Sequence, residues 1–455
     1  MNIHDIVMQV REFYNTHQTK DYAFRINALH KLHTALKSNE DRLLEALRLD
    51  LGKSENEGYM TELGIVYEEI AYMRRSLKRL MRPRVKSDTL VTFPSKCRIY
   101  YEPLGVVFIM SPWNYPLNLS LVPVVDAIAA GNCVILRPSE KTSHLVSVLH
   151  EIIANTFDEN YVRVIVGPNR IATELLQEKF DLIFFTGGAR IGQMVLEAAS
   201  KHLTPVVLEL GGKSPVILDK SCDVKMAAKR LAFGKCLNSG QTCIAPDYVF
   251  IPECIKEQFI HYFAEYVTQF YGDPIQCEYY PHMINQQQFD RAIGYLEGQE
   301  IVYGGTWDES SLKIAPTLVD HPSILSPIMQ EEIFAPLLPL LPYEELSEVI
   351  EYINDRDKPL AMYIFSNTQA NIDRLLKEVS FGGGCVNDVM FHLANVNLPF
   401  GGIGKSGMGS YHGAKGFETF SHAKSVLHRH KSFDYSFRFA PYNSSKLNIL
   451  RMFIK

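Results

Sequence analysis

The sequence has no CxxC pair. Its eight cysteines, Cys97, Cys133, Cys222, Cys236, Cys243, Cys254, Cys277 and Cys385, are scattered over 455 residues. So sparse a set excludes a disulfide framework and fits a reducing compartment. Clustered Cys and His of the kind a zinc site needs are missing as well, so no metal is expected. There is no basic excess: the formal net charge is −5, and nothing points to nucleic acid as a partner. No apolar run approaches the roughly 18 residues needed to cross a bilayer. The N-terminal MNIHDIVMQVREF lacks the basic-then-apolar order of a signal peptide. Repeats and low-complexity segments are absent. What remains is ordinary globular material, 46% hydrophobic and 21% charged. That is enough for a sizeable core in two or three domains of roughly 150 residues each.

The apolar pattern divides the chain. Over residues 1–80, Leu32, Ala35, Leu36, Leu43, Leu44 and Leu47 recur at helical spacing. Around residues 82–95 the pattern breaks into Pro, Lys, Arg and Thr, as a linker or exposed arm would. From Leu104 to Leu210, short apolar runs alternate with helical stretches. Gly105–Met110, Cys133–Pro138, Val162–Val166, Asp181–Phe185 and Val206–Leu210 read as buried strands, and His144–Phe157 as an amphipathic helix. Such alternation predicts an α/β fold with a parallel sheet covered on both faces, whose ligands sit at the carboxyl ends of the strands. After Gly211 a second βα-rich region follows, with strands at Tyr248–Ile251 and Leu360–Phe365. The C-terminal Leu447–Lys455 reads as a docking strand or frayed tail rather than a membrane contact.

Polar motifs fall just after the predicted strands. Cys243, in NSGQTCIAP, has small and polar neighbours suited to a tight accessible turn, although an isolated cysteine is more often a buried small hydrophobe. Glu209, in LELGGKS, ends an apolar strand, where desolvation would raise its pKa toward that of a general base. The plainer reading is a partnered structural acid. Asn114, in PWNYP, can offer an amide donor to a developing oxyanion, or be a turn residue between two prolines. The unit DLIFFTGGARIG runs strand, glycines, helix, and its helix N-terminus would favour an anion. Its GxxxxG spacing differs from the GxGxxG dinucleotide fingerprint, and an ordinary βα turn would look alike. Arg137 and Glu140, in RPSE, could hydrogen-bond ribose hydroxyls or form a surface ion pair.

In order, PWN, RPSE, FTGGARIG, LELGGKS, GQTC, EEIF and FGGIGKSGMG resemble the aldehyde dehydrogenase superfamily along most of the chain. Cys243–Tyr248 and Leu398–His422 are most similar to its class 3 branch, which handles fatty and aromatic aldehydes. The resemblance implies a Rossmann-like cofactor domain (1–80 and 99–210), an α/β catalytic domain (211–424), and a small β bridging arm with a C-terminal tail (81–98 and 425–455). The bridging strands would come from about 81–98 and 425–435. It implies Cys243 as nucleophile, Glu209 as general base and Asn114 as oxyanion donor beside the Cys243 backbone N–H. Trp113, Arg137, Glu140, Thr186, Gly187, Gly188, Ala189, Arg190, Ile191, Gly192, Glu332 and Phe334 would hold the dinucleotide. Tyr115 and Phe400 would line the aldehyde tunnel. A homodimer is implied too. Membrane-bound class 3 relatives carry a hydrophobic tail of greater length, so a cytoplasmic enzyme is expected.

Departures from the family pattern bear on the cofactor. Arg137 stands where Lys is usual and makes a better fork for a phosphate, whereas Glu140 would repel a 2′-phosphate. NAD is therefore the expected preference, with NADP possible. Gly188 and Arg190 also depart from the usual loop; Arg190 either touches phosphate or faces solvent. Ala335 replaces the more usual Gly after Phe334, tightening that loop. Three other readings compete: a CoA-acylating relative, which typically lacks the Glu at position 209; a non-catalytic scaffold, which would tend to lose Cys243; and a cofactor-free thiol esterase, which would not need Glu332, Phe334 and Arg137.

Overall fold

Five runs rich in apolar β-branched and aromatic residues, too short for helices, form the first sheet. A computed structural model describes all residues except Met1, Ser432 and Lys455. In it the strands Val206–Leu210, Leu182–Gly187, Val106–Met110, Cys133–Arg137 and Val162–Val164 lie side by side in that order, all parallel. Most of their residues are buried, as a sheet covered on both faces requires. A sixth strand, Gly407–Met408, adds antiparallel to the Val206–Leu210 edge. It comes from a distant part of the chain, and its two residues are too few to read as a strand from sequence.

One face is covered by the helix Asn118–Ala130, buried along its whole length. The helices Tyr22–Ser38 and Gly64–Leu80 pack against it, Glu40–Leu51 packs on Ser143–Thr156, and Ile3–Asn15 packs on the strands Cys133–Arg137 and Val106–Met110. Side chains of Asn2 and Asp21 cap the first two by accepting from His4 and Phe24 N–H groups. Leu29, Leu32, Leu36, Leu43 and Leu47, each fully buried, supply the inward stripe. The predicted helix over 144–157 is observed as Ser143–Thr156.

The second region builds a seven-stranded sheet in the order Glu300–Tyr303, Thr317–Asp320, Leu337–Tyr343, Tyr248–Pro252, Pro215–Leu218, Ala361–Phe365, Gly383–Val386. All neighbours are parallel except the first pair. A third sheet, of Arg84–Lys86, Ser95–Pro103 and Ser421–Arg429, is antiparallel and largely exposed. Its strands run beyond the limits expected for the arm, through Pro103 on one side and back to Ser421 on the other. The C-terminal stretch corrects a sequence expectation. Residues 447–453 are helical, within Ser444–Phe453, rather than a strand or frayed tail. Asn443 caps this helix by accepting the Lys446 N–H at 2.9 Å, and an Asn ahead of a helix is a local signal in the sequence. Among the described residues, no helix is long and apolar enough to cross a membrane.

Candidate active site

The parallel order of the first sheet brings its carboxyl ends together, and the polar motifs with them. Trp113 and Asn114 follow Val106–Met110. Arg137 ends Cys133–Arg137, Gly187 ends Leu182–Gly187, and Glu209 is the penultimate residue of Val206–Leu210. Facing them is the segment Leu237–Thr242, which leads from the helix Val224–Cys236 to Cys243.

That segment has a forced shape. Asn238, Ser239 and Gly240 are all left-handed, with φ of 50°, 52° and 70°. A Cβ on Gly240 would also come within 2.4 Å of the Ala335 carbonyl, so only glycine fits. Gln241 is saturated: its amide donates to the Asn238 and His282 carbonyls and accepts the Ile284 N–H, each at 3.0 Å. The Asn114 loop and the Cys243 loop are then tied to each other. Asn114 Nδ2 donates to the Gln241 carbonyl at 3.0 Å, using one of its two hydrogens. Tyr115 shares a 2.7 Å hydrogen bond with Thr242.

Two cavities meet at this junction. One is narrow, about 80 Å³, and almost wholly apolar, with Met60, Ile65, Tyr115, Phe233, Met390, Phe391 and Phe400 among its walls. Phe400 is held there by a backbone pair with Tyr411, at 3.0 and 2.9 Å. The other is a wider crevice of about 860 Å³ with polar and charged side chains among its walls. Its walls include Trp113, Asn114, Gly187, Gly188, Arg190, Glu332 and Phe334. Thr186, Glu209 and Cys243 line both.

Burial sets the electrostatics. Glu209 is 2% exposed, and neither carboxylate oxygen has a hydrogen-bond partner. Desolvation alone holds its pKa well above the ordinary carboxylate range. Cys243 is partly accessible through the cavities. Its thiol is pushed up to about 12, first by desolvation and then by the charges of Glu332 and Glu209. Glu332, pushed up to about 8 mainly by burial, leaves one oxygen unpartnered and lies so close to Gly211 that a Cβ there would meet it at 2.2 Å.

The crevice has the features a dinucleotide uses. The helix Ala189–Ser200 points its N-terminus into it, and the N-cap Gly188 has open space where a side chain would be. Ile191 and Gly192 lie in the first turn of that helix. A Cβ on Gly192 would meet Leu210 at 2.7 Å, so glycine lets the helix sit close to the sheet. Arg190 is exposed at the mouth. Trp113 and Phe334 meet edge to face at 5.5 Å, and Lys141 covers Trp113. Arg137 is buried, bonded to the Gly167 carbonyl at 3.3 Å and Asn169 at 3.0 Å. Glu140 stands 3.6 Å from it. Thr186 lines the crevice and Arg137 and Glu140 do not; the Arg137 Nε and the Thr186 hydroxyl are buried without a partner.

The profile of the aldehyde dehydrogenase family matches residues 1–426. The chain belongs to the aldehyde dehydrogenase family. It is 44% identical to the 4,4'-diaponeurosporen-aldehyde dehydrogenase of Staphylococcus aureus, over 98% of this chain and 97% of that one. It is equally 44% identical to the dimeric, NADP-preferring aldehyde dehydrogenase of Rattus norvegicus, over 94% of each. The solved substrate-bound state of Staphylococcus aureus AldH superposes with a TM-score of 0.97 at 43% identity and full coverage of both chains. The chain is therefore an oxidoreductase that converts aldehydes to acids, and the family's electron acceptor is NAD or NADP.

Sequence reasoning missed a layer beneath the site. Lys53, Glu57 and Glu62 are buried and between them bond the Asn114 loop and the loop that leads to Cys243. Their only signal was a dense run of charges, GKSENEGYMTE, followed by a strongly apolar helix face.

Proposed function

We propose that the chain oxidises medium- to long-chain aliphatic or aromatic aldehydes through a thioester on Cys243. The reading rests on one observation: Cys243 and the unpartnered Glu209 line both the apolar chamber and the wider crevice. The Cys243 thiolate adds to the carbonyl carbon, and the charge that develops on oxygen is met by the Cys243 N–H and the second Asn114 Nδ2 hydrogen. The oxidised dinucleotide, when bound against Glu332, Phe334 and the Ala189–Ser200 N-terminus, supplies the hydride acceptor that turns this adduct into the thioester. Glu209 then takes a proton from water, whose oxygen attacks the thioester carbon and expels the thiolate.

NAD is the preferred cofactor in this reading, with NADP also used. The Arg137 fork is partly spent on Gly167 and Asn169, and Glu140 lies beside it. One assay tests substrate and cofactor together, the reduction of either dinucleotide by a series of linear aldehydes. Each added methylene that enters the apolar chamber contributes about 0.8 kcal/mol, so kcat/KM rises about fourfold per carbon until the chamber is filled. A flat series sinks the substrate reading, and an NADP preference of about a hundredfold sinks the cofactor reading.

We further read the bridging sheet as the surface covered by a second copy. Val85 is 75% exposed and Leu427 46% on a sheet with open edges, and the rat relative is named dimeric. Light scattering at micromolar concentration is expected to give twice the chain mass of 51.8 kDa; a monomer contradicts it.

A further inference from the structure

Lys53 has no exposed side-chain surface, yet it carries a charge into the centre of the molecule. Its ammonium is held by Glu62 Oε1 at 2.6 Å and donates to the backbone carbonyl of Asn114 at 2.9 Å. It also sits 3.9 Å above the Tyr115 ring. The other Glu62 oxygen accepts the Leu117 and Asn118 N–H groups at 3.0 and 2.9 Å. The Asn114 carbonyl receives a second donor, Asn238 Nδ2 at 2.8 Å, and the Asn238 N–H is anchored on Glu57 at 2.7 Å. One short segment, 53–62, therefore grips the loop that bears Asn114 and the loop that leads to Cys243. A π-helical turn at Tyr59–Leu63 widens the backbone where Glu62 points inward.

Stability gives no reason for this. A buried ion pair commonly contributes less than apolar residues of the same size, because two charges must leave water. An arrangement that fixes a peptide plane does give a reason. Once two donors hold the Asn114 carbonyl, the plane cannot turn. The side chain it carries, already bonded to Gln241, keeps its second hydrogen aimed at one point.

We propose that Lys53 is a positioning residue for the reaction: its ammonium, with Glu62 as counter-ion, locks the Asn114 peptide and so aims the Asn114 amide at the substrate oxygen. The proposal rests on the roles given above to Asn114 and Cys243. A misaimed oxyanion donor costs as much as a missing one, about 10²-fold in rate, and the loss falls on kcat rather than on dinucleotide binding.

The test uses Lys53→Met, and Lys53→Met with Glu62→Gln, which removes both charges and keeps an acceptor for Leu117 and Asn118. Both are compared in parental and Asn114→Ala backgrounds. Aldehyde oxidation and cofactor-free hydrolysis of an activated ester are expected to fall about 10²-fold together, since both develop an oxyanion. Alkylation of Cys243 by iodoacetamide, which develops none, stays within about threefold. In the Asn114→Ala background the same changes cost less than about threefold, because the donor they aim is gone. A folded variant with undiminished kcat overturns the proposal. So does an equal loss in both backgrounds, or a doubly neutral variant that cannot fold, since either would assign the pair to the fold alone. If instead Cys243→Ala keeps its activity, the mechanism itself has failed, and that outcome is read separately.

Discussion

Replacing Cys243 with Ala is expected to lower kcat for aldehyde oxidation by about 10⁴-fold or more, with dinucleotide affinity within about twofold of the parent. The size follows from the chemistry. Without the sulfur there is no covalent adduct, and nothing else between the two cavities can replace it: the neighbouring Thr186 and Thr242 hydroxyls are far poorer nucleophiles. Steady-state dinucleotide reduction beside a binding titration checks both halves. The same residue predicts a pH dependence. In the dinucleotide-free protein the thiol is raised to about 12 by burial and by Glu332 and Glu209. Below that value the thiolate fraction grows about tenfold per pH unit, so iodoacetamide labelling of Cys243 should climb steadily between about pH 7 and pH 10. A nicotinamide bound in the crevice would bring positive charge toward the thiol, favour the thiolate and shift the curve to lower pH. Labelling that is flat with pH would contradict this description of the thiol.

The second large effect is on Glu209. Glu209→Gln keeps the shape and removes the base, so turnover should fall by about 10²–10⁴-fold. The first turnover should survive, because attack by Cys243 and formation of the thioester come before water is needed. Rapid mixing should therefore show a burst of reduced dinucleotide close to one per site, followed by almost nothing. Loss of the burst would give Glu209 a role in activating the thiol instead. Stability should move the other way from activity. The folded pKa of Glu209 is raised above its unfolded value, so the protonated side chain favours the folded state at low pH. That advantage is lost as pH rises from the ordinary carboxylate range through the raised value. At pH 7 the neutral Gln avoids burying a charge, and Tm should rise or stay unchanged.

Much of this site could be read along the chain because its parts are local. A β strand that ends in Glu209, or a strand, two glycines and a helix, is a signal contained within about a dozen residues, and the carboxyl-end rule for parallel sheets predicts where such parts converge. The strand Val206–Leu210 occupies the predicted residues, and the neighbouring strands shift by only a residue or two. Lys53, Glu57 and Glu62 could not be read that way. Their bonds to Asn114 and Asn238 join residues 61 and 181 positions apart, and a charged residue in a polar run looks like a solvated face until the fold encloses it. The edge strand Gly407–Met408 has the same cause, since its pairing partner lies some two hundred positions earlier in the chain. The C-terminal helix failed for a different reason. Its cap was present in the sequence, but Leu447, Ile449, Leu450 and Met452, which follow, are not buried, so no core-facing stripe announced it.

The proposed reaction turns on a covalent bond between the substrate and one sulfur. Glu209→Gln protein, mixed with aldehyde and the oxidised dinucleotide and quenched in acid, should carry one acyl group per chain. Peptide mass spectrometry should locate it on the peptide that contains Cys243. A burst of reduced dinucleotide with no mass added to that peptide, or with the acyl group on another residue, would contradict the account.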